Sequence, residues 1–444
     1  MKARLVPLYF KEKKNSEFDE RLLRIKKLLE NEADFLEPVE CGTPIPEADA
    51  VVFPKLVRDA FKEVETIKKI NLPIIILTSL FGTIEMWDWE IATYYKSKGI
   101  KVFTPYNLEL SKTICRALAL RRDIGQTKFL VFQDNPGEGV EGISTMEGFI
   151  FKRFYWFEDE CVQLMKDKFG VEIIKRSFRK LGEDARNISD NLVEEVSRNW
   201  KFSVDGVSSK ALKSAIRMYI AVKREIGDDD CIKGIGINCL NESFFTDTTP
   251  CLAWTMLFEE KGIIWACEAD IMSLITKYII NKSLNASVMM SNLYPFLMGE
   301  TALEHERMER YPVVDEPQNH ILVAHCGYFG LIPRPLAEKW VLRPRALAMV
   351  DENAIAVDAY YPVGDITLTK LHPSMSRIQA IDGKLVCYAN FPGTDCRTGA
   401  VIKVKDGYDV MNSLYSHHSI LVSGRKSPEI EMVAKVFDLE FEKL

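Results

Sequence analysis

The sequence predicts a mixed α/β protein whose parallel sheets are followed by a β-rich C-terminal part. Two observations lead to this prediction. Short apolar runs alternate with amphipathic helical spans as far as about residue 288, an alternation that is typical of parallel sheets. Beyond that point long helices disappear, and short strands, prolines and glycines dominate. A chain of 444 residues is also too long for one ordinary hydrophobic core, so two or three domains are expected.

The first α/β domain is predicted over residues 1–110. Residues 20–29 have the spacing of an amphipathic helix, and residues 85–98 form a second helical span that ends at a glycine. The runs 51–53 and 73–77 are apolar and rich in β-branched residues, which is typical of buried strands. Strand and helix therefore alternate through this part of the chain.

A second α/β domain is predicted over residues 111–288. Helices and strands alternate again, and Gly170 has the position of a helix C-cap before a strand. The predicted helices are 111–122, 158–169, 190–199 and 208–226, and the predicted strands are 128–132, 171–174, 232–237 and 262–266. The alternation predicts two Rossmann-like domains, with a β-rich domain over residues 289–444 that ends in a helix at 428–437.

The composition of the chain argues against a nucleic-acid-binding protein and against a membrane protein. With 47% apolar and 27% charged residues the chain has the balance of a soluble globular protein, and its net charge of -6 gives no electrostatic case for nucleic acid. The longest apolar runs are too short to span a bilayer, so no membrane partner is expected. Ten cysteines without a CxxC pair and no signal-peptide pattern favour reduced thiols and a cytoplasmic location.

The patch Cys267-Glu268-Ala269-Asp270 carries the first candidate catalytic residue. It lies between the strand-like run 262–266 and a helical span that includes Ile271 and Tyr278. Open α/β folds place their ligands at the carboxyl ends of strands, where Glu268 is predicted to lie. The alternative is a carboxylate that only stabilises the start of the helix.

Two more donors are predicted near Glu268. Residues 287–290 read as the next strand, so a strand–helix–strand crossover would bring Asn292 to the same sheet edge as Glu268. His417 and His418 precede another strand, and neighbours on an extended chain face opposite ways, so one of them can face a site. Oxygen donors with one imidazole suit Mn²⁺ or Mg²⁺. The alternatives are a turn asparagine and a histidine pair at the surface or in the core.

Segments of the C-terminal half resemble the L-fucose isomerase-like family, which is related to L-arabinose isomerase. The resemblance lies in 251–278, 364–371, 408–412 and the pair His417-His418 with Gly424, in this order, and covers most of residues 230–444. It implies a divalent cation, usually Mn²⁺ or otherwise Mg²⁺ or Co²⁺, held by a glutamate, an aspartate and a histidine. These positions match Glu268, Asn292 and His418, so asparagine replaces the family's aspartate.

The resemblance implies an aldose–ketose isomerase that acts on a free sugar such as L-fucose or D-arabinose through an ene-diol. Glu268 would move the proton, and Glu300 or Glu306 could replace the carboxylate lost at Asn292. Two alternatives stay open at this point. One is a sugar-binding or regulatory homologue without turnover, and the other is a sugar epimerase with the same ene-diol chemistry.

The resemblance also implies a homo-oligomer, a trimer or a hexamer, in which an N-terminal aromatic residue contacts the sugar. Trp87 and Trp89 are the candidates, with ordinary helix packing as the alternative for at least one of them. His325 follows a predicted strand and could line the pocket or lie in a turn, and His417 is a further candidate for sugar binding.

Overall fold

The computed structural model describes residues 1–11, 14–57, 60–134, 159–240, 242–296, 313–325, 328, 332–347, 350–390 and 398–444. These residues form parallel sheets and, in the C-terminal part, an antiparallel β-barrel. The mixed α/β class predicted from the sequence is therefore confirmed. The chain divides into two compact units, the first made of residues 1–124, 282–285 and 428–438, and the second of residues 125–281, 286–427 and 439–444.

The first unit contains a parallel sheet with strand order β2-β1-β4-β5-β6, and β3 pairs with the end of β1. The strands are β1 (Ala3–Tyr9), β2 (Ala33–Phe35), β3 (Val39–Glu40), β4 (Ala50–Phe53), β5 (Ile74–Ile76) and β6 (Val102–Phe103). The helices are α1 (Ser16–Leu28), α2 (Val64–Ile67), α3 (Asp88–Ser97) and α4 (Leu108–Asp123). All residues of β4 and β5 are buried, as expected of continuous apolar runs in a parallel sheet.

The second unit contains a four-stranded parallel sheet with strand order β11-β10-β7-β8. Its strands are β7 (Lys128–Phe132), β8 (Glu172–Arg176), β10 (Ile232–Ile237) and β11 (Ile264–Cys267). The helices that accompany it are α5 (Asp159–Phe169), α6 (Phe178–Arg186), α7 (Asp190–Ser197), α8 (Ser209–Ile226), α9 (Cys251–Lys261) and α10 (Ile271–Leu284). Helix α6 is absent from the sequence prediction. Gly262 ends α9 in the left-handed conformation, which turns the chain into β11.

The barrel is formed by six antiparallel strands in the order β16-β19-β12-β13-β18-β17, and it closes because β16 also pairs with β17. The strands are β12 (Val288–Pro295), β13 (His320–Ala324), β16 (Gly364–Leu371), β17 (Arg377–Asn390), β18 (Thr398–Lys403) and β19 (His418–Ser423). Strand β20 (Glu440–Lys443) adds to β17. A small sheet contains β9 (Ser203–Val204), β14 (Lys339–Pro344) and β15 (Ile355–Tyr360), and the last two helices are α11 (Gly407–Asn412) and α12 (Ser427–Val436).

The predicted crossover from β11 to a parallel neighbour is wrong. Strand β12 belongs to the barrel, where it pairs antiparallel with β13 and β19, whereas β11 lies at the edge of the four-stranded parallel sheet. Asn292 lies inside β12 rather than after it. Periodicity shows that a strand follows a helix, but the choice of sheet depends on long-range pairing. No helix in the part of the chain that the structure describes is long and apolar enough to cross a membrane.

Candidate functional site

The turn after β11 holds Glu268 in an uncommon backbone conformation. Glu268 and Ala269 have φ angles of 56° and 55°, in the left-handed region that residues with a side chain seldom adopt. The Ala269 N–H donates to the Ile237 carbonyl at 2.9 Å, and Gly236 lies against the Ala269 backbone. Strained residues of this kind persist where the surrounding structure holds them, and they cluster at functional sites. The turn places the Glu268 carboxylate in the interior, where 2% of the residue is exposed.

Asp270 is the centre of a buried hydrogen-bond network. One carboxylate oxygen accepts from the Ser273 N–H at 2.8 Å, so Asp270 caps the first turn of α10. The other oxygen accepts from the Ser273 hydroxyl at 2.7 Å, from the Lys370 ammonium at 3.0 Å and from His418 Nδ1 at 2.8 Å. Burial by itself would raise the pKa of Asp270, but Lys370 and His418 outweigh it and hold this pKa well below its usual range. Asp270 is therefore ionised.

His418 lies at the start of β19 and is completely buried. Its Nδ1 faces Asp270, and its Nε2 lies 3.7 Å from Glu268 Oε1. A histidine that ligates a metal usually donates its other ring N–H to a carboxylate, which fixes the tautomer and the ring orientation. Burial disfavours the imidazolium, but Glu268 and Asp270 outweigh burial and raise the pKa of His418.

Asn292 lies beside His418 because β12 and β19 pair in a register that places the two residues opposite each other. Directly opposite residues of an antiparallel pair project from the same face of the sheet. Asn292 is buried, and within the described residues its Oδ1 accepts no hydrogen bond. The structure thus brings together a carboxylate, an imidazole and an amide oxygen from three separate segments.

These three donors fit a hard or borderline divalent cation. Carboxylate and amide oxygens with one imidazole suit Mn²⁺ and Mg²⁺, and Asn292 Oδ1 is an acceptor without a donor in the described structure. Without an asparagine ligand there is no such site in the described ranges, because no group of three or more histidine, cysteine, aspartate or glutamate residues there could hold a metal ion. Asn292 would have to supply the third ligand.

His325 borders the same cluster. Strand β12 lies between β19, which carries His418, and β13. His325 directly follows Ala324, the β13 residue that pairs with Asn292. Its ring lies 6.2 Å from Trp265 in an edge-to-face arrangement. Burial is the largest cause that lowers the pKa of His325 to about 3, so the imidazole is neutral at neutral pH.

His417 faces a different environment from His418. It is half-buried, its ring centroid lies 4.1 Å from that of His418, and burial lowers its pKa to about 2. His418 is the neighbour with a ring nitrogen 2.8 Å from Asp270 and another 3.7 Å from Glu268, and alternation along an extended chain turns adjacent side chains to opposite faces.

The remaining predicted site residues do not belong to the described part of the second unit. Trp87 and Trp89 belong to the first unit, whereas Glu268, Asn292 and His418 belong to the second. Trp89 packs partly buried against the core of the first unit, and Trp87 is 74% exposed. Glu300 and Glu306 lie outside the described residues.

Asp270, Lys370 and Lys277 are buried polar residues of this region that the sequence reasoning did not assign. The spacing of Asp270 and Ser273 before an apolar run is that of a helix N-cap, and this pattern could have identified the Asp270 position. Lys370 comes from β16, a hundred residues away in sequence, and only the barrel brings it to Asp270.

No protein-family model matches this chain, and no curated protein matches it.

Proposed function

We propose that this protein is a divalent-metal-dependent aldose–ketose isomerase of the L-fucose isomerase-like type, acting on a free sugar such as L-fucose or D-arabinose. One observation carries the proposal. His418 presents Nε2 to Glu268 while Asp270 holds its other ring nitrogen, which is the arrangement of an oriented metal-binding histidine. Asn292 lies opposite His418 and completes a set of oxygen and nitrogen donors.

Glu268, Asn292 and His418 would hold the cation, Mn²⁺ or another divalent ion such as Mg²⁺ or Co²⁺. When bound, such an ion stabilises the negative charge that develops on the sugar oxygens. Lys370 and Ser273 act indirectly: they donate hydrogen bonds to the Asp270 carboxylate, which in turn orients His418. The ligand geometry is thus fixed before a sugar arrives.

Glu268 would transfer the proton. In the conversion of an aldose to a ketose, a base removes the proton on C2 to give an ene-diol, and a proton is then delivered to C1. Asn292 has no basic oxygen, so a single carboxylate would perform both transfers on one face of the sugar. His325 is neutral and buried beside the cluster, so it can exchange hydrogen bonds with a sugar hydroxyl.

The proposal extends to the domain arrangement and the assembly. It takes the two parallel sheets as Rossmann-like domains, with residues 1–110, 111–288 and 289–444 as three domains.

The proposal also includes a homo-oligomer, a trimer or a hexamer. Support for the oligomer comes from an exposed apolar segment of the first unit that contains Leu80, Phe81, Met86 and Trp87. These four side chains are 45–74% exposed, and large exposed apolar patches mark interaction sites.

The decisive experiment is an assay for ketose formation with a panel of free aldoses and added Mn²⁺. We expect activity that is lost in Glu268→Gln, which keeps the side-chain shape and removes the base. Glu316→Gln is the matched control, because Glu316 forms an exposed ion pair with Lys403. Absence of ketose from every aldose, with a folded protein that binds Mn²⁺, would reject the isomerase.

A sugar-binding homologue without turnover is the second candidate, because Asn292 replaces the second acid of the family. Calorimetry with the same sugars separates the two proposals. Sugar binding without ketose formation supports the binding protein, whereas ketose formation that depends on Glu268 supports the isomerase. An epimerase would convert one aldose or ketose into its epimer in the same product analysis.

A further inference from the structure

Lys277 is a buried lysine that the proposed isomerisation does not use. It lies on α10, seven residues after Asp270 and four after Ser273, so the three residues share one face of the helix. Helical side chains lean toward the helix N-terminus, which directs the Lys277 amine back toward β11. The residue is 1% exposed, and its Nζ lies 3.2 Å from the centroid of the Trp265 ring.

The surroundings of the Lys277 amine are aromatic. Trp265 stacks on Trp254 with ring centroids 5.0 Å apart, and its edge faces His325. Within the described residues Lys277 Nζ has no hydrogen-bond partner. The Trp265 face attracts an ammonium, but a buried ammonium without a hydrogen-bonded counter-charge is costly, and this cost favours the neutral amine. Burial accordingly lowers the pKa of Lys277 well below its ordinary value, against a smaller opposite effect of Cys267.

Lys370 provides the contrast inside the same unit. It is also buried, but its ammonium donates to Asp270 and to Ser273. Burial lowers the pKa of Lys370 as well, but the paired Asp270 carboxylate opposes this effect and favours the ammonium, which has no free lone pair for attack on a carbon atom. The two buried lysines of this region therefore differ in environment, since Lys370 is paired with Asp270 and Ser273 whereas Lys277 faces an aromatic ring.

We propose that Lys277 is a carbonyl-reactive amine that forms an imine with a small aldehyde or an open-chain aldose. The Nζ lone pair attacks the carbonyl carbon, a proton passes from nitrogen to oxygen, and the carbinolamine loses water to give the C=N bond. The net change is one amine and one aldehyde to one imine and one water. An uncharged electrophile suits the site, because the Trp265 face next to the amine offers no partner for an anion.

Reductive trapping tests this inference. The full-length protein, freed of metal with a chelator, is incubated near neutral pH with glycolaldehyde and sodium cyanoborohydride, and peptides are mapped by mass spectrometry. The hydride reduces the imine to a stable secondary amine. We expect alkylation of Lys277 in the folded protein at a level on the order of ten-fold above that of Lys370, since each unit of lowered pKa raises the uncharged fraction about ten-fold.

Lys277 that stays unmodified in the folded protein, and reacts only after denaturation, would overturn the inference. The experiment needs no variant of Lys277, so a folding defect cannot obscure it. It also needs no cation, so its result is independent of the isomerase. If Lys277 is alkylated in Glu268→Gln while the wild type forms no ketose, this inference is supported and the proposed function is rejected. If the wild type forms ketose while Lys277 stays unmodified, the proposed function is supported and this inference is rejected.

Discussion

Asp270 Oδ2 accepts a hydrogen bond from His418 Nδ1 at 2.8 Å and another from Lys370 Nζ at 3.0 Å, so one buried carboxylate oxygen joins α10, β16 and β19. This contact fixes the ring of His418 and directs Nε2 to Glu268.

Asp270→Asn is expected to weaken metal binding about 10–100-fold, because the second partner of a ligating histidine sets its orientation and basicity. It is also expected to destabilise the second unit by about 3–5 kcal/mol, since the Lys370 ammonium stays buried without its counter-charge. Calorimetric titration with Mn²⁺ and urea unfolding measure the two effects. Asp365→Asn is the control, because Asp365 pairs with Arg425 at the surface, and a change there is expected to stay within about 0.5 kcal/mol.

Lys370→Met should also destabilise the fold, because it leaves Asp270 ionised and deprived of its ammonium partner. In the double variant Asp270→Asn, Lys370→Met both charges are absent, and we expect part of the loss to be recovered. Urea unfolding of the wild type, both single variants and the double variant gives the coupling energy, which we expect at about 1–3 kcal/mol. Additive single effects would show that the two side chains do not stabilise each other.

Mn²⁺ binding should weaken as the pH falls, because a proton and the cation compete for His418 Nε2. Glu268 and Asp270 raise the pKa of His418 despite its burial, so the competition begins above the ordinary pKa of histidine. Titration of the protein with Mn²⁺ at several pH values, in two buffers of different ionisation enthalpy, measures the affinity and the protons released. An affinity that is constant between pH 8 and 6, which is about the ordinary range of histidine titration, would contradict this prediction.

His325→Gln should reduce the decrease in the free energy of unfolding that occurs as the pH falls. Burial lowers the pKa of His325 to about 3, whereas the unfolded chain binds the proton at the ordinary histidine value. Between these two values the unfolded state holds more protons, so His325 reduces stability as the pH falls, by at most about 1.4 kcal/mol per pH unit. Urea unfolding of both proteins from pH 7 to pH 4 measures the slopes. Equal slopes would show that His325 is not held neutral in the fold.

Gly236→Ala should lower activity by displacing the turn that carries Glu268. A Cβ on Gly236 would lie 3.2 Å from the Ala269 Cα and 3.6 Å from Val131, so the Ala269 backbone has to move. Overpacking of this kind costs about 1–3 kcal/mol. Gly125→Ala is the matched control, since a Cβ there meets its nearest atom at 3.8 Å. Ketose formation and the Tm of both variants are the measurements, and an active Gly236→Ala protein would contradict the prediction.

Much of the local structure follows from the sequence because it depends on neighbouring residues. The strands at 128–132 and 232–237, and the helix after Glu268, form where apolar periodicity predicts them. The placement of β12 could not be predicted in this way. Its residues suit either sheet, and the antiparallel pairing with β13 and β19 depends on segments far away in the chain.

For the candidate site, the residue types and their predicted places along the chain suggested Glu268, Asn292 and one histidine of the pair His417-His418. The choice of His418 came from the family resemblance. The tertiary structure decided that Asn292 lies opposite His418 on the neighbouring strand, that Asp270 holds His418, and that Lys370 balances Asp270 while Lys277 lies on Trp265. Helix and strand periodicity comes from contacts within a few residues, which a sequence displays directly. The environment of Asp270 and His418 comes from segments a hundred or more residues apart, and these meet only when β12, β16 and β19 pair in the barrel.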